Sequence, residues 1–130
     1  MKHIEVVAAV IINQGKILCV QRNEHKYDYI SRKYEFPGGK IDEGETKEEA
    51  LLREIREELK MNIKIESDFH TVLHAYPDFI ITMYSFICTT ESIELTRTEH
   101  INHLWLTTKE LSVLDWAAAD LPIVNKLIKG

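Results

Sequence analysis

The segment from residue 39 to residue 61 constrains the fold more than any other part of the chain, because its part from Thr46 onwards has the pattern of an amphipathic helix. Its sequence is GKIDEGETKEEALLREIREELKM. Thr46 is a suitable N-cap, the acidic first turn suits the helix macrodipole, and we expect the helix to end near Lys60. At about 100° per residue, the apolar side chains share one stripe; they are Leu51, Leu52, Ile55 and Leu59. This stripe must pack against a hydrophobic core.

Three glutamates lie on the helix face that borders the apolar stripe. With Glu54 at zero on the helical wheel, Glu57 and Glu58 fall within roughly 60° on either side of it. Like charges one turn apart cost about 0.2–0.5 kcal/mol per pair, and a divalent cation would offset that cost. Oxygen ligands favour Mg²⁺ or Mn²⁺ over zinc. The alternative is an ordinary solvated helix; Arg53 and Arg56 are expected on its opposite, solvent-facing side.

Segments rich in β-branched and aromatic residues surround this helix and predict a sheet. Strands are expected at residues 4–12, 17–21, 63–65, 70–76, 79–89 and 102–106, with a hairpin turn at residues 13–16. We expect a long loop over residues 23–33, which leads into a tight turn at Gly38 and Gly39.

Two shorter helices are expected after the last strand. Thr107 and Glu110 have the spacing of a capping box, and Asp120 before a Leu-Pro pair resembles the start of a final helix that ends near residue 129. Strands with helices inserted between and after them indicate an α/β or α+β fold, a mixed sheet with flanking helices.

Length and composition exclude several classes of protein. The chain has 130 residues, of which 45% are hydrophobic and 28% charged, with a net charge of −5; we expect one domain over residues 1–130. Affinity for a phosphate backbone comes from clustered Lys and Arg, so this acidic balance argues against a nucleic acid polymer as a partner. No apolar run approaches the ~20 residues of a membrane span. The N-terminus resembles no secretory signal, so the predicted location is the cytoplasm, with no membrane partner.

Side chains that commonly bind transition metals show no metal-site pattern. Cys19 and Cys88 each lie inside an apolar segment and are expected to be buried free thiols. The histidines beyond residue 20 have no ligand spacing and are expected to be ordinary exposed or strand residues; they are His25, His70, His74, His100 and His103.

Two glycines upstream of the acidic helix belong with it to one longer sequence motif. Gly38 and Gly39 expose backbone groups to a ligand without a Cβ in the way. From Gly39 onwards the chain resembles the Nudix box, G-x5-E-x7-R-E-U-x-E-E-x-G-U, where U is a bulky apolar residue. The matching residues are Gly39, Glu45, Arg53, Glu54, Ile55, Glu57, Glu58 and Met61. Lys60 replaces the last glycine, which we take to end the helix, and Asn62 is the candidate for a left-handed residue in its place.

The resemblance covers nearly the whole chain and is to the MutT-like branch of the Nudix hydrolases, which includes cytidine-nucleotide and oxidised-guanine-nucleotide pyrophosphohydrolases. The similar segments outside the box are residues 4–10, 20–22, 35–40, 99–105 and 119–122. The resemblance implies an α/β/α sandwich that hydrolyses a nucleoside triphosphate to a monophosphate and pyrophosphate. It also implies a Mg²⁺ or Mn²⁺ cofactor and a small nucleotide as partner; a monomer or a homodimer is expected.

The resemblance assigns a role to each residue of the acidic helix. The implied metal ligands are the carboxylates of Glu54, Glu57, Glu58 and Glu99 and the carbonyl of Gly38. Either Glu54 or Glu99 would be the base that removes a proton from the attacking water. Arg53 would orient the box through a hydrogen bond to a carboxylate or carbonyl, and Glu45 would cap or brace the loop.

Residues outside the helix are the candidates for binding the nucleotide. The expected substrate-binding residues are Arg22, Glu35, Phe36, Gly38, Lys40 and Asp120. Arg22 and Lys40 are the nearest cations that could meet a phosphate or a base, or else they are surface charges. Phe36 could pack near the base or in the core. Asp120 matches the position of an asparagine that reads oxidised guanine in the family, which favours a base presenting donors; its alternative is a helix N-cap.

Two other functions remain open. One is hydrolysis of a nucleoside diphosphate-sugar or a dinucleoside polyphosphate, since such subfamilies carry a proline or tyrosine shortly after the box and Tyr76-Pro77 lies near that position. A hairpin turn at Pro77 and Asp78 also explains these residues. The other is a non-catalytic nucleotide-binding module, although such modules often lose box glutamates and this chain keeps them all.

Overall fold

A mixed seven-stranded sheet forms the centre of the computed structural model, which describes residues 1–130. The strands are β1 (Lys2–Asn13), β2 (Lys16–Gln21), β3 (Tyr34–Glu35), β4 (Gly38–Lys40), β5 (Lys64–Ala75), β6 (Phe79–Thr89) and β7 (Asn102–Leu106). Their order is β3-β2-β1-β6-β5, with β4 paired to β1 and β7 to β2. Only β1 and β6 are parallel; the other pairs are antiparallel.

Two α-helices and two short 3-10 helices accompany the sheet. They are α1 (Lys47–Leu59), α2 (Leu121–Lys129) and the 3-10 helices Thr108–Val113 and Ala118–Asp120. Neither α-helix has the length and apolar character needed to cross a membrane.

The first hairpin has the predicted turn. Gln14 and Gly15 both have positive φ, 49° and 77°, as the two central residues of a type I′ turn require. Because this turn follows the twist of the strands, Asn13 pairs with Lys16 and Ile12 with Ile17.

The central strand β1 separates two hydrophobic layers. Val7, Ala9 and Ile11 belong to a cluster with α1, whereas Ala8 and Val10 belong to a cluster with α2 and the 3-10 helices. This alternation follows from the period-2 geometry of a strand, and burial on both faces explains the unbroken apolar run. The predicted α/β/α sandwich is therefore confirmed.

Helix α1 has the predicted start and apolar stripe. The Thr46 hydroxyl accepts a hydrogen bond from the Glu49 N–H at 3.0 Å, and the Glu49 carboxylate accepts one from the Thr46 N–H at 2.9 Å. Leu51, Ile55 and Leu59 are fully buried, and each contributes about 1.5–3 kcal/mol of hydrophobic stabilisation.

The predicted end of α1 near Lys60 is confirmed, but the prediction of Asn62 as its left-handed residue is wrong. Lys60 itself is left-handed, with φ 56° and ψ 36°, and its N–H bonds to the Arg56 carbonyl; Asn62 does not have positive φ. Leu59 and Met61 are both buried, so the chain has to change direction at the exposed residue between them. A lysine therefore holds the position that favours glycine.

The predicted tight turn at Gly38 and Gly39 is also wrong. Both glycines lie in β4, where Gly38 pairs with Ala8 and Gly39 with Val7, and neither has positive φ. A Cβ on Gly38 would overlap the Val7 carbonyl. Glycine is required here for close approach of two backbones, not for a turn.

Three further predictions have clear outcomes. The strands expected at residues 63–65 and 70–76 are one strand, β5, which continues through register shifts between Ile65 and Ser67 and between Asp68 and Thr71. These irregularities break the alternation on which the prediction depended. The capping box of Thr107 and Glu110 is confirmed at the start of a 3-10 helix, and the two cysteines are confirmed as buried free thiols.

Candidate functional site

Arg53 lies at the centre of a cluster of carboxylates at the junction of α1 and β4. Its Nε donates to Glu45 Oε2 at 2.7 Å, and its Nη1 lies 2.7 Å from Glu54 Oε1 and 3.1 Å from Glu57 Oε2. Its Nη2 donates to the Lys40 carbonyl at 3.0 Å. The expectation that Arg53 faces solvent is wrong, because these groups leave its side chain only 26% exposed.

Arg53 and Glu45 stabilise each other's charged forms. The hydrogen bond from Arg53 holds the pKa of Glu45 below its usual range, and the hydrogen bond to Glu45 raises the pKa of Arg53 further. Glu45 also accepts a hydrogen bond from the Asp42 N–H at 2.9 Å. The structure thus places Glu45 where it braces the loop before α1 against the helix.

Gly39 forms a cradle for the Glu54 carboxylate. A Cβ on Gly39 would overlap both the carboxylate carbon and Oε2 of Glu54. The missing side chain lets α1 approach β4 and directs this carboxylate across the strand.

Glu58 is buried among other acidic groups. It is 5% exposed, and its pKa is raised by burial first, then by Glu54, Glu35 and Glu99. The last of these comes from the loop before β7, where the Thr98 hydroxyl and N–H each donate to the Glu58 carbonyl at 3.0 Å. Thr98 therefore holds the exposed Glu99 beside the end of α1.

These carboxylates suit a hard divalent cation by chemistry and by charge. A buried carboxylate with acidic neighbours is costly unless a positive charge compensates it, and oxygen donors are the ligands of Mg²⁺ and Mn²⁺. In this conformation no three acidic, histidine or cysteine side chains converge as a ready metal site, since Arg53 engages Glu54 and Glu57.

Two adjoining cavities open beside the acidic helix. One, of about 550 Å³, has no hydrophobic residue in its lining, which includes Gly38, Glu54, Glu58, Glu99 and His100. The other, of about 500 Å³, has apolar walls that include Ile4, Val6, Tyr27, Tyr76, Phe79 and Met83. Arg22, Glu35 and Lys40 line both cavities. The arrangement suits a ligand with one apolar planar end and one end that reaches the acidic cavity through bound cations.

Asp120 lies in the wall of the apolar cavity and is not a side-chain helix cap. It is 2% exposed, and its Oδ1 accepts a hydrogen bond from the Phe36 N–H at 3.1 Å. Its pKa is raised well above the usual value, mainly by burial and then by Glu35. The interpretation of Asp120 as an N-cap is wrong because the carboxylate turns across the sheet towards β3 and makes no bond to the helix backbone.

The other expected substrate contacts differ in their placement. Phe36 is 3% exposed and stacks on Trp116 with ring centres 4.8 Å apart; it belongs to the core and lines neither cavity. The Lys40 side chain is exposed at the border of the two cavities. Arg22 Nη1 lies 3.3 Å from Glu35 Oε1, so these two expected residues form a pair.

A stack of tyrosine rings that begins and ends in the lining of the apolar cavity, at Tyr27 and Tyr76, was not expected from the sequence. The rings of Tyr27 and Tyr29 stack at 5.1 Å, and Tyr29 stacks on Tyr76 at 5.1 Å. The Tyr29 hydroxyl donates to Asp78 Oδ2 at 2.6 Å, which connects the loop after β2 to the β5–β6 hairpin. Several aromatic residues in one polar loop are the signal that could have indicated this stack.

His100 is a further residue of the site that could not be identified from the sequence. Its Nε2 lies 3.0 Å from Glu35 Oε2 and 3.7 Å from Glu58 Oε1, and its side chain is 4% exposed. It was expected to be an ordinary histidine, although its position directly after Glu99 could have suggested a place in the site.

Comparison with known proteins agrees with this geometry. The family model described as NUDIX domain matches residues 1–127. CTP pyrophosphohydrolase of Escherichia coli (strain K12) is 32% identical over 125 residues, which cover 96% of this chain and 91% of that protein. The 8-oxo-dGTP diphosphatase of the same organism is 29% identical over 127 residues, covering 98% of each chain.

A solved structure gives the same result. The solution NMR structure of the DNA mismatch repair protein MutT (family Nudix hydrolase) from methicillin resistant Staphylococcus aureus 252 matches with a TM-score of 0.76 and 40% identity, covering 99% of this chain and 98% of that one. The names of these relatives include both nucleotide types that the resemblance suggested, and the predicted family is confirmed. The chain belongs to the NUDIX domain family.

Proposed function

We propose that this protein is a divalent-metal-dependent hydrolase that cleaves a nucleoside triphosphate to a nucleoside monophosphate and pyrophosphate. The observation that carries the proposal is that the acidic cavity and the apolar cavity adjoin. Arg22, Glu35 and Lys40 line both of them. A nucleotide has matching parts: a planar base for the apolar walls and phosphates for the acidic side, where metal ions would offset the repulsion.

The residues that would hold Mg²⁺ or Mn²⁺ are those of the acidic cavity and the adjacent helix turn. They are Glu54, Glu57, Glu58, Glu99 and the carbonyl of Gly38. The bound ions would neutralise phosphate charge and lower the pKa of a bound water. The cradle at Gly39 directs the Glu54 carboxylate, and Thr98 holds Glu99 nearby, so either carboxylate can accept the proton of that water.

Arg53 acts in this proposal as the residue that orients the carboxylates. It bonds to Glu45, Glu54 and Glu57 at once, and the planar guanidinium offers donors in a fixed geometry that lysine cannot reproduce. When metal ions attract Glu54 and Glu57, the bonds from Arg53 to Glu45 and the Lys40 carbonyl still keep the β4–α1 junction in place.

Asp120 is the proposed contact to the base. A neutral carboxyl, which its raised pKa favours, offers one donor and one acceptor. Because Oδ1 accepts from the Phe36 N–H, Oδ2 is the atom available to a base. In a neutral carboxyl this oxygen carries the proton, and its O–H can donate to the acceptor that lies beside the amino group of cytosine (N3) or beside the N7–H of 8-oxoguanine (O6). A cytidine nucleotide or an oxidised guanine nucleotide is therefore the proposed substrate. The names of the relatives support the same pair.

Location and assembly remain parts of the proposal. The two buried free thiols agree with a reducing compartment, which supports the cytoplasm as the site of action. We propose a monomer or a homodimer over residues 1–130.

The test is to measure pyrophosphate and phosphate release with Mg²⁺ across normal and oxidised nucleoside triphosphates, nucleotide sugars and dinucleoside polyphosphates. We expect pyrophosphate from CTP, dCTP derivatives or 8-oxo-dGTP. Activity only on the diphosphate-linked compounds would instead identify the second type of hydrolase, and binding without turnover a non-catalytic module.

Two variants connect this activity to the site. Glu57→Gln should remove most activity, by at least the roughly 10–100-fold that a residue supporting a metal ligand costs, and the fold should remain intact. Glu48→Gln, an exposed glutamate in the first turn of the same helix, is the matched control and should retain activity. An unchanged rate in Glu57→Gln would refute the metal-site assignment. Asp120→Asn should change the preference between cytidine and oxidised guanine nucleotides.

A further inference from the structure

His100 connects the two cavities through two carboxylates. Its Nε2 is 3.0 Å from Glu35 Oε2 and 3.7 Å from Glu58 Oε1. Glu35 lines both cavities, whereas Glu58 lines only the acidic one. The ring therefore lies between a residue of the proposed nucleotide site and a residue of the proposed metal site.

The hydrogen-bond network assigns the proton of this ring. His100 Nδ1 is buried and has no hydrogen-bond partner. A buried unpaired N–H is rarer in proteins than an unpaired acceptor, so the network favours the tautomer with the proton on Nε2. In this tautomer, Nε2–H donates to Glu35 Oε2.

Glu35 is consequently held at both of its oxygens. Arg22 Nη1 donates to Oε1 at 3.3 Å from one side, and His100 donates to Oε2 from the other. The backbone position of His100 is restricted too, because Thr98, two residues earlier, bonds to the Glu58 carbonyl at the end of α1. The ring separates Glu35 from Glu58, two acidic side chains that would otherwise repel each other across the cavity.

We propose that His100 is a positioning residue: its hydrogen bond to Glu35 holds the ring against the Glu58 carboxylate, limits where that carboxylate can move, and thereby sets the divalent-metal affinity of the acidic cavity. The inference rests on the proposed function, in which Glu58 is a metal ligand. Groups that contact and orient metal ligands, without binding the metal themselves, typically contribute 10–100-fold to metal affinity or activity. His100 acts on the carboxylates and needs no contact with the reacting atoms.

The experiment measures Mn²⁺ binding to the free full-length protein, without nucleotide, by electron paramagnetic resonance of unbound Mn²⁺. His100→Leu removes the donor and should weaken Mn²⁺ binding about 10–100-fold. His100→Gln retains a donor and should recover most of that loss. His103→Leu is the matched control, because His103 also has a buried, unpartnered Nδ1 but lines neither cavity; it should bind Mn²⁺ as the wild type does.

A third substitution keeps the test decisive if His100→Leu does not fold. Glu35→Gln weakens the anchor of His100 without altering any proposed metal ligand, and it should also weaken Mn²⁺ binding. Wild-type affinity in folded His100→Leu or in folded Glu35→Gln would overturn the role of His100 while leaving the metal site standing. Absence of Mn²⁺ binding in the wild type would instead overturn the proposed function together with this inference.

Discussion

Gly39 and Glu54 are in direct contact, and a Cβ on residue 39 would occupy the space of the Glu54 carboxylate. Its neighbour Gly38 is equally restricted but by a different group, the backbone carbonyl of Val7. Two consecutive glycines in one short strand thus serve different purposes. Gly38 lets β4 pair closely with β1, and Gly39 lets the acidic helix approach β4.

The first prediction separates these two purposes. In Gly39→Ala the new methyl group meets the end of a flexible side chain, so the Glu54 carboxylate can move and the free energy of unfolding should change by less than about 1 kcal/mol. Nucleotide hydrolysis should nevertheless fall, because the Glu54 carboxylate is no longer held in its wild-type orientation. In Gly38→Ala the methyl group meets backbone, and unfolding should become easier by about 1–3 kcal/mol. Urea denaturation and pyrophosphate release measure the two effects; full activity in Gly39→Ala would contradict the role of the cradle.

The second prediction concerns Arg53→Lys. A lysine ammonium can keep the charge but cannot bond simultaneously to Glu45, Glu54 and the Lys40 carbonyl. We expect a fall in kcat and a loss of stability on the order of 1–3 kcal/mol, the range for hydrogen bonds to charged groups, reduced by the partial exposure of this side chain.

The matched control is Arg56→Lys, at an exposed position on the same helix. It should leave kcat unchanged and stability within about 0.5 kcal/mol of the wild type. Steady-state kinetics and chemical denaturation test both variants, and equal effects at the two positions would show that Arg53 has no special function in the carboxylate cluster.

Local signals in the sequence predicted much of the fold. Helix α1 was predictable because its cap, apolar stripe and acidic first turn all depend on neighbours within four residues, and the first hairpin because Gln14 and Gly15 suit a tight turn. Strand β4 was missed because glycine has no strand preference; what places Gly38 and Gly39 in the sheet is close contact with Val7 and Glu54, which are distant in sequence.

The same distinction applies to the site. The spacing of Glu54, Glu57 and Glu58 predicted a shared helix face, but helical geometry alone put Arg53 in solvent. Glu45, the partner of Arg53, lies in the loop before the helix, and a helical-wheel projection of α1 does not include that loop. His100 was missed because its role exists only where residues 65 and 42 positions away, Glu35 and Glu58, meet it in space.

The third prediction concerns the helix end. Lys60 is left-handed with φ 56°, a conformation that costs a residue with a Cβ about 1–2 kcal/mol. Glycine avoids that cost but gains freedom in the unfolded chain worth about 0.4–1 kcal/mol, so Lys60→Gly should raise the free energy of unfolding by about 0.5–1 kcal/mol. Asn62→Gly is the control and should bring no gain, because Asn62 does not have positive φ. The denaturant midpoints of the two variants provide the comparison. A stabilising effect of Asn62→Gly alone would contradict the assignment of Lys60 as the left-handed residue that ends the helix.

The last prediction is a pH dependence that originates from Asp120. Burial raises the pKa of this carboxyl in the folded protein above the value of about 3.9 expected in the unfolded chain. The folded state therefore binds more protons than the unfolded state between these two pKa values, and stability must fall as the pH rises through that interval. Asp120→Asn retains an oxygen that can accept from the Phe36 N–H and removes the ionisable proton. Relative to the wild type, the variant should become more stable as the pH rises above about 3.9, as measured by urea denaturation at several pH values from there upward. A stability difference between the two proteins that stays constant over this range would mean that Asp120 does not titrate there. A raised pKa would then have no part in its proposed hydrogen bond to a base.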